Sequence, residues 1–251
     1  MSRTAFPIDS SVLVGPFRVE YTAGSSPRID EYRLRYSVFV EERQWEPAAS
    51  FPDRMERDAF DTACCAFLLR DSSTGEAAAC QRFILPERVS PGLVTNVERL
   101  AGGLDVDLTR LPRSSWAEVS RSTIAPKYRW GSSATSMPAM VAIKYASIAL
   151  AVALDRTTLF SFSDPRTARL TRRLGFVLHQ IGAPVEFHGL RAPYRIDVAE
   201  VLRSVPSGMA DTLHLLIAAA ERVKAREASP GRTRGLLPLT TFTDGIPASA
   251  A

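Results

Sequence analysis

Two charged residues near the middle of the chain have side chains that could act on a substrate. Glu118 and Arg121 lie in the segment 116–122, whose alternating pattern is typical of a β-strand. A carboxylate beside a reactive amine can remove its proton, and a guanidinium can bind a carboxylate through two parallel hydrogen bonds. A regular strand sends these two side chains to opposite faces, so they share a site only if a β-bulge lies between them.

Arg82 lies inside a second apolar segment, between Cys80 and Ile84. An arginine at such a position needs a carboxylate as its partner, either from the protein or from a ligand. Asp58 and Asp61 are candidates, because two carboxylates three residues apart can orient an amine or an arginine. The same pair could instead cap a turn.

A predicted helix after the Gly-Ser-Ser-Pro break at 24–27 carries Arg35 and Phe39 and leads to Trp45. Apolar and aromatic residues recurring at three and four positions predict its buried stripe, which is Ile29, Tyr32, Tyr36 and Phe39. The solvent side is predicted from the charged residues Arg28, Asp30, Glu31, Arg33, Glu41 and Glu42.

Further elements follow from hydrophobic periodicity and turn chemistry. Strands are predicted at 17–22, 64–70, 77–85, 116–124, 158–163, 177–181 and 185–189, with a hairpin turn at 71–75. Helices are predicted at 134–154, from Pro165 (capped by Asp164) to Gly175, and at 207–226. The long connection 86–114 is typical of a functional loop or lid. Together these elements indicate an α/β domain around a mixed sheet.

The chain has 251 residues, of which 45% are hydrophobic, so it can bury one sizeable core. We expect an N-terminal extension at 1–16, one domain at 17–226 and a flexible tail at 227–251. The net charge of +4 is too small to require a nucleic acid but suits an acidic protein partner.

A cytoplasmic location is expected from three features of the sequence. The three cysteines are an odd number in apolar runs, which favours a reducing compartment. The first 17 residues lack the apolar run of a signal peptide. The apolar stretch 137–154 is interrupted by Pro138 and Lys144 and fits a buried helix better than a membrane span.

Two other kinds of catalysis receive little support. A cysteine or serine nucleophile needs a base, and no histidine lies near the cysteines in sequence, nor does a Gly-x-Ser-x-Gly motif occur. The three histidines lack metal-ligand spacing, so no metal site is expected.

The order of the residues singled out above resembles a known pattern. Arg35, Phe39, Trp45, Asp58, Asp61, Arg82, Glu118 and Arg121 follow one another as in acyl-homoserine lactone synthases and the related long-chain N-acyl amino acid synthases. The segments 173–176 and 187–194 are most similar to acyltransferases of the PEP-CTERM/exosortase system. The resemblance implies a GNAT-like fold, in which two central strands splay apart around the acyl donor and the strand of Glu118 contains a bulge.

The resemblance also implies a direct transfer of a fatty acyl group to an amine, and the expected acceptor is the amine of an amino acid. Glu118 would be the general base, with Arg121 and Arg82 completing the catalytic set, and nearby backbone N–H groups would bind the oxyanion. The substrates would contact Arg35, Phe39, Trp45, Asp58, Asp61, Trp116 and Ser120.

The donor is expected to be an acyl carrier protein thioester. GNAT enzymes that use coenzyme A hold its pyrophosphate with a glycine-rich loop, whereas the segment 127–134 here has one glycine at a different spacing. Acyl carrier protein is small and acidic. This chain would bind it through a basic docking face made of Lys127, Arg129, Arg166, Arg169, Arg172 and Arg173. Coenzyme A as donor, S-adenosylmethionine as acceptor, and a non-catalytic acyl-sensing module remain alternatives, and no bound cofactor is expected.

Overall fold

The computed structural model of the protein describes residues 11–22, 28–129 and 138–227. Nine strands form its central sheet: β1 Ser11–Val14, β2 Phe17–Thr22, β3 Cys64–Asp71, β4 Ala77–Ile84, β5 Trp116–Ile124, β6 Thr158–Ser163, β7 His179–Gln180, β8 Val185–Glu186 and β9 Leu190–Asp197. Their order is β1-β2-β3-β4-β5-β6-β9-β7, with β8 paired to β9. Neighbours pair antiparallel except β5 and β6, which are parallel, so the predicted mixed α/β sheet is confirmed.

Helices cover both faces of this sheet. They are α1 Ile29–Arg35, α2 Asn96–Arg99, α3 Ala139–Ala153, α4 Pro165–Arg173, α5 Val198–Ser204 and α6 Ser207–Glu227. The helix α3 packs on β2, β3 and β4 and against α6, while α1 packs on β4 and β5 from the opposite side. The Tyr21 hydroxyl donates a hydrogen bond of 3.1 Å to the Ala146 carbonyl, which fixes α3 on its face.

The main core lies between the sheet and α3. Phe17, Val19 and Tyr21 alternate along β2 and point to this side, where they meet the buried rings of Phe67 and Phe83. Burying a side chain of this size contributes about 1.5–3 kcal/mol. Because only alternate residues of β2 reach the core, this contribution maintains the period-two pattern from which the strand was predicted.

Several predicted elements are confirmed with their bounds nearly unchanged. The segments 17–22, 116–124 and 158–163 form β2, β5 and β6, and the predicted hairpin forms β3 and β4. Asp164 caps α4 by accepting hydrogen bonds from the N–H groups of Arg166 and Thr167, with Pro165 in the first turn. In α6, Leu213, Leu216 and related apolar residues are buried as expected.

The region after α4 departs from the prediction. Strand character at 177–181 shrinks to β7, and at 185–189 it shrinks to β8, because His188 and Gly189 have positive φ angles and form a turn. The sequence pattern missed β9 and α5. The strand β9 contains Pro193 and arginines, which propensity disfavours, and its pairing with β6 through six residue pairs decides its structure.

The predicted orientation of α1 is wrong at three positions. Ile29 is 41% exposed, whereas Arg28 and Glu31, expected on the solvent side, are each 3% exposed. The reason is that α1 faces charged side chains from the loop at 56–61, and ion pairing with them offsets the cost of removing its own charges from water. Directly after Arg35, α1 continues as a π-helical turn, Tyr36–Glu42.

Some predictions lie outside the described residues: those on residues 1–10, the break at 24–27, the start of the helix at 134–137 and the tail from 228 onward. So does most of the segment compared with a pyrophosphate loop, 130–134. Ser11–Val14, which we placed in the N-terminal extension, is an edge strand paired with β2. Within the described part of the chain, none of the helices combines the length and the apolar character needed to cross a membrane.

Candidate active site

The sheet opens between β5 and β6. The parallel register joins Trp116–Val119 to Thr158–Ser161 and then stops, although β5 continues to Ile124. A cavity of about 400 Å³ lies at this opening, lined by residues of both strands. Its size is in the range of small-molecule sites. Where the pairing of the two parallel strands ends, their backbone N–H and C=O groups are free to bind a substrate in the cavity.

A β-bulge in β5 accompanies the opening. Cys80 pairs with Thr123 and Arg82 with Ser120, so that Arg121 and Ser122 together oppose one residue of β4. Arg121 adopts a left-handed conformation with φ of +49°, which turns its side chain toward the face that carries Arg82. The bulge thus lets Glu118 and Arg121 reach the same cavity, the condition set by their three-residue spacing.

Glu118 is buried and lies at the wall of the cavity. Its carboxylate accepts hydrogen bonds from the Val97 N–H at 2.8 Å and from Asn96 Nδ2 at 3.1 Å. Burial raises the pKa of Glu118 from its ordinary value of 4.5 to about 7, although these hydrogen bonds and Arg82 act in the opposite direction. A carboxyl group with this pKa can both take up and release a proton near neutral pH.

The partners of Glu118 come from the connection 86–114, which we predicted to be functional without identifying its residues. Asn96 and Val97 open the short helix α2, and Thr95 caps it in a reciprocal arrangement with Glu98. A Thr-x-x-Glu pattern is the sequence signal that could have located this turn. The cap fixes the N–H group of Val97 so that it points at Glu118.

Behind the cavity lies a buried ion cluster, which we define as Arg28, Glu31, Arg35, Glu56, Asp58, Asp61, Arg82 and Arg121. Asp61 is its centre: Arg35 donates two hydrogen bonds to its carboxylate, at 2.8 and 3.0 Å, and Arg28 donates one at 3.1 Å. Burial alone would raise the pKa of Asp61, but Arg35, Arg82 and Arg28 hold it well below its ordinary value. Four arginines face four carboxylates in this cluster, and Glu46 adds a fifth carboxylate 3.5 Å from Arg121.

Asp58 connects this cluster to the cavity. Arg82 donates to both Asp58 oxygens, at 2.5 and 3.0 Å, and to Ser120 Oγ at 3.0 Å. Arg121 lies 3.2 Å from Asp58 and donates to Glu56 at 3.0 Å. Arg82 therefore has the carboxylate partner that its place in an apolar strand required, and the cluster holds the Arg121 guanidinium in position.

The predicted site residues divide into two groups. Phe39, Trp45, Glu118, Ser120 and Arg121 line the cavity. The others do not: Arg35, Asp58, Asp61 and Arg82 belong to the buried ion cluster, and Trp116 packs edge-on against Phe160 in a separate core. In this structure these five support the site and do not reach the space a substrate would fill.

An aromatic wall closes one side of the cavity. Trp45 stacks on Phe39 with ring centroids 5.6 Å apart and on His188 at 5.2 Å, and the Arg191 guanidinium lies over Trp45 at 4.9 Å. The π-helical turn places Phe39 at this wall, and Arg121 lies over its ring. Sequence reasoning missed the contribution of His188, although its segment carried part of the resemblance.

The basic residues proposed for carrier docking are spread over two regions. Arg166, Arg169, Arg172 and Arg173 lie on the exposed side of α4. Lys127 is exposed and pairs with Glu76, and Arg129 is bound by Glu42 through two contacts of 2.6 Å. Of the six, Arg129 borders the cavity.

The cysteines are unsuited to nucleophilic catalysis. Cys64, Cys65 and Cys80 are buried and do not line the cavity. Burial raises the pKa of the Cys64 thiol to about 12 and that of Cys80 further, so neither forms a thiolate near neutral pH.

Comparison with known proteins agrees with this geometry. Residues 34–139 match the model of the acetyltransferase (GNAT) domain family. An acyl-homoserine-lactone synthase of Acinetobacter nosocomialis is 27% identical over 182 residues, which cover 70% of this chain and 93% of that protein. The predicted relationship to acyl-homoserine lactone synthases is therefore confirmed at the level of homology.

Two solved structures share the fold. The crystal structure of TofI in a ternary complex with an inhibitor and MTA superposes with a TM-score of 0.57 and 27% identity, covering 75% of this chain and 95% of TofI. The coenzyme A-dependent acyl-homoserine lactone synthase BjaI, solved with SAM and isopentyl-CoA, gives a TM-score of 0.53 at 14% identity, covering 82% and 98% of the two chains. The GNAT-like fold predicted from the motif order is confirmed.

Proposed function

We propose that this protein, an N-acyltransferase with a GNAT-type fold, transfers a long-chain fatty acyl group from an acyl carrier protein thioester to the amine of an amino acid. The observation that carries the proposal is the position of Glu118. Its carboxyl group, with a pKa of about 7, lies at a cavity that opens where two central strands separate.

The reaction requires a neutral amine, a thioester carbonyl beside it and donors for the developing oxyanion. Glu118, directly or through a water molecule, takes a proton from the substrate ammonium, and the nitrogen attacks the thioester carbon. Backbone N–H groups beside the bulge at Arg121 are assigned to the oxyanion. When the tetrahedral intermediate collapses, the carbon–sulfur bond breaks, the nitrogen gives its second proton to the leaving thiolate, which forms the thiol and the neutral amide, and Glu118 releases the first proton to solvent.

The two ends of the cavity suit two different substrates. Arg121 and Trp45 lie on the face of the sheet that carries α1, where a guanidinium and an aromatic ring can bind a small polar amine with a carboxylate. The opposite end is walled by the apolar side chains Ile143, Ile148, Leu159, Leu170, Phe176 and Ile196, which suit an acyl chain. We assign the acceptor to the first end and the acyl chain to the second.

An acyl carrier protein is favoured as donor because α4 presents Arg166, Arg169, Arg172 and Arg173 at its surface. Coenzyme A is the alternative donor. The association with the PEP-CTERM/exosortase system and the cytoplasmic location stay predictions from the sequence.

A second function deserves a test because of one comparison. A relative that this chain covers over 93% of its length is an acyl-homoserine-lactone synthase. The amine of S-adenosylmethionine could therefore be the acceptor, with lactone formation following acylation.

One experiment separates these functions. The purified protein is incubated with acyl carrier protein thioesters or acyl-CoA, together with a mixture of amino acids or with S-adenosylmethionine, and the products are identified by mass spectrometry. We expect N-acyl amino acids in the reaction with amino acids and acyl carrier protein, and none with Glu118→Gln. An N-acyl homoserine lactone establishes the second function, and the absence of any amide product refutes both.

A further inference from the structure

Lys144 is a cationic side chain in the cavity that the proposed reaction does not use. It lies in the middle of α3, one turn after Met140 and one turn before Ile148, and all three line the cavity. Among the described residues, no hydrogen bond or ion pair satisfies its ammonium group. Burial lowers the pKa of Lys144 to about 8, so the group is still mostly charged at neutral pH.

Thr171 supplies a second polar group without a partner. Its side chain, on α4, is 1% exposed and lines the same cavity, and Oγ1 makes no hydrogen bond with any described residue. Nearby hydroxyl and amide groups differ in this respect: Ser147 Oγ bonds Gln81 Oε1, and Gln81 Nε2 donates to Ser122. A buried hydroxyl left unpaired is unfavourable, and a ligand oxygen that accepts its hydrogen bond would remove that cost.

The carboxylates of the cavity do not pair with Lys144. Glu46 contacts Arg121, and Glu118 is held by α2. Asp164 is committed to the N–H groups at the start of α4. Lys144 is half-buried and lines the cavity without a counter-charge from the described residues, so a carboxylate on the ligand would supply one.

Lys144 lies on the other side of the sheet from the acceptor end. Arg82 and its pair Ser120 lie on the face of the sheet that carries α1, whereas Gln81 points to α3 and bonds Ser147 there. Lys144, on α3, is thus placed beyond the gap, among the apolar side chains that we assigned to the acyl chain.

Resting on the proposed function, we propose that the acyl group carries a terminal carboxylate, and that Lys144 and Thr171 bind it at the far end of the cavity. The donor would be the monothioester of a dicarboxylic acid. Its methylene chain contacts the apolar wall, and its free carboxylate accepts hydrogen bonds from the ammonium and hydroxyl groups, for which no described residue supplies a partner.

The test compares two donors of equal chain length loaded on the same acyl carrier protein, one sebacoyl and one decanoyl. Dissociation constants are measured by calorimetry without acceptor, and kcat/KM is measured with the acceptor found in the product screen. We expect the sebacoyl donor to bind at least tenfold more tightly, the factor that about 1.4 kcal/mol produces. Lys144→Met should abolish this preference, Thr171→Val should reduce it, and Lys224→Met, on the exposed side of α6, should leave it unchanged.

The inference is overturned if decanoyl binds as well as or better than sebacoyl, if neither donor binds, or if Lys144→Met weakens both donors equally. The last result would assign Lys144 to the carrier arm or the acceptor. Because the wild-type comparison alone decides the preference, an unstable variant does not prevent a conclusion. If decanoyl is transferred without a preference for sebacoyl, this inference fails while the proposed function stands. If sebacoyl binds more tightly but no amide product forms with any acceptor, the carboxylate site stands while the proposed acyl transfer fails.

Discussion

Replacing Glu118 by glutamine should stabilise the fold while it removes activity. The side chain is buried, and its pKa of about 7 lies above the ordinary 4.5 because the charged form is desolvated. At about 1.4 kcal/mol per pH unit, the difference corresponds to roughly 3 kcal/mol of unfavourable free energy when the carboxylate is ionised. Glutamine has nearly the same shape, its carbonyl can accept from Val97 N–H, and Asn96 can rotate its amide to accept from the new NH₂ group.

The sign of the pH dependence follows from proton binding. Between about pH 4.5 and pH 7, the folded wild-type protein holds a proton on Glu118 that the unfolded chain has lost. The free energy of unfolding that this group contributes is therefore present at low pH and is lost as the pH rises toward 7. In the glutamine variant this contribution is constant, and every other group titrates as in the wild type.

Urea unfolding of both proteins at about pH 5 and about pH 8 measures the effect. Relative to the wild type, the variant should gain about 2–3 kcal/mol between the two pH values. Its turnover should fall by about two to four orders of magnitude, the usual loss for a general base. A stability difference that does not change with pH would refute the burial of an ionising carboxyl group, and near-normal turnover would refute the catalytic assignment.

Three other predictions concern catalysis, the buried ion cluster and carrier docking. The wild-type kcat/KM should rise with pH through about 7 as Glu118 loses its proton, and this step should be missing from the profile of Glu118→Gln. Asp61→Asn should lower the free energy of unfolding by about 3–5 kcal/mol because it removes the carboxylate that buried arginines share, whereas Asp53→Asn, at an exposed carboxylate, should cost less than about 1 kcal/mol; equal losses in urea unfolding would contradict the structure. Charge reversal of Arg169 and Arg173 should raise KM for acyl carrier protein donors, most strongly at low salt, and leave KM for acyl-CoA unchanged; an equal rise for both donors would argue against docking on α4.

The sequence was sufficient for elements whose burial follows one regular period. The strands β2, β5 and β6 each have one face in the core, so alternation reveals them, and Asp164 with Pro165 marks the start of α4 by local hydrogen bonding alone. The identities of Glu118 and Arg121 also came from the sequence, because a charged residue in an apolar strand requires an explanation wherever it occurs.

Tertiary structure decided which charged groups meet. The pattern placed Arg28 and Glu31 in solvent, since it cannot show that Asp61 from another segment supplies their counter-charge. It also could not show that the bulge at Arg121 turns that side chain toward the cavity, because a bulge is defined by pairing with a second strand.

Lys144 shows the same division between sequence and structure. By sequence it only interrupts an apolar helix, but the separation of β5 from β6 places it beside a cavity with no carboxylate of the described chain as its partner. The sequence determines which side chains are available and the local periodicity that orients them. The burial of a side chain such as Lys144, its pKa and the partners it has depend on long-range contacts, which form only when distant segments pack together.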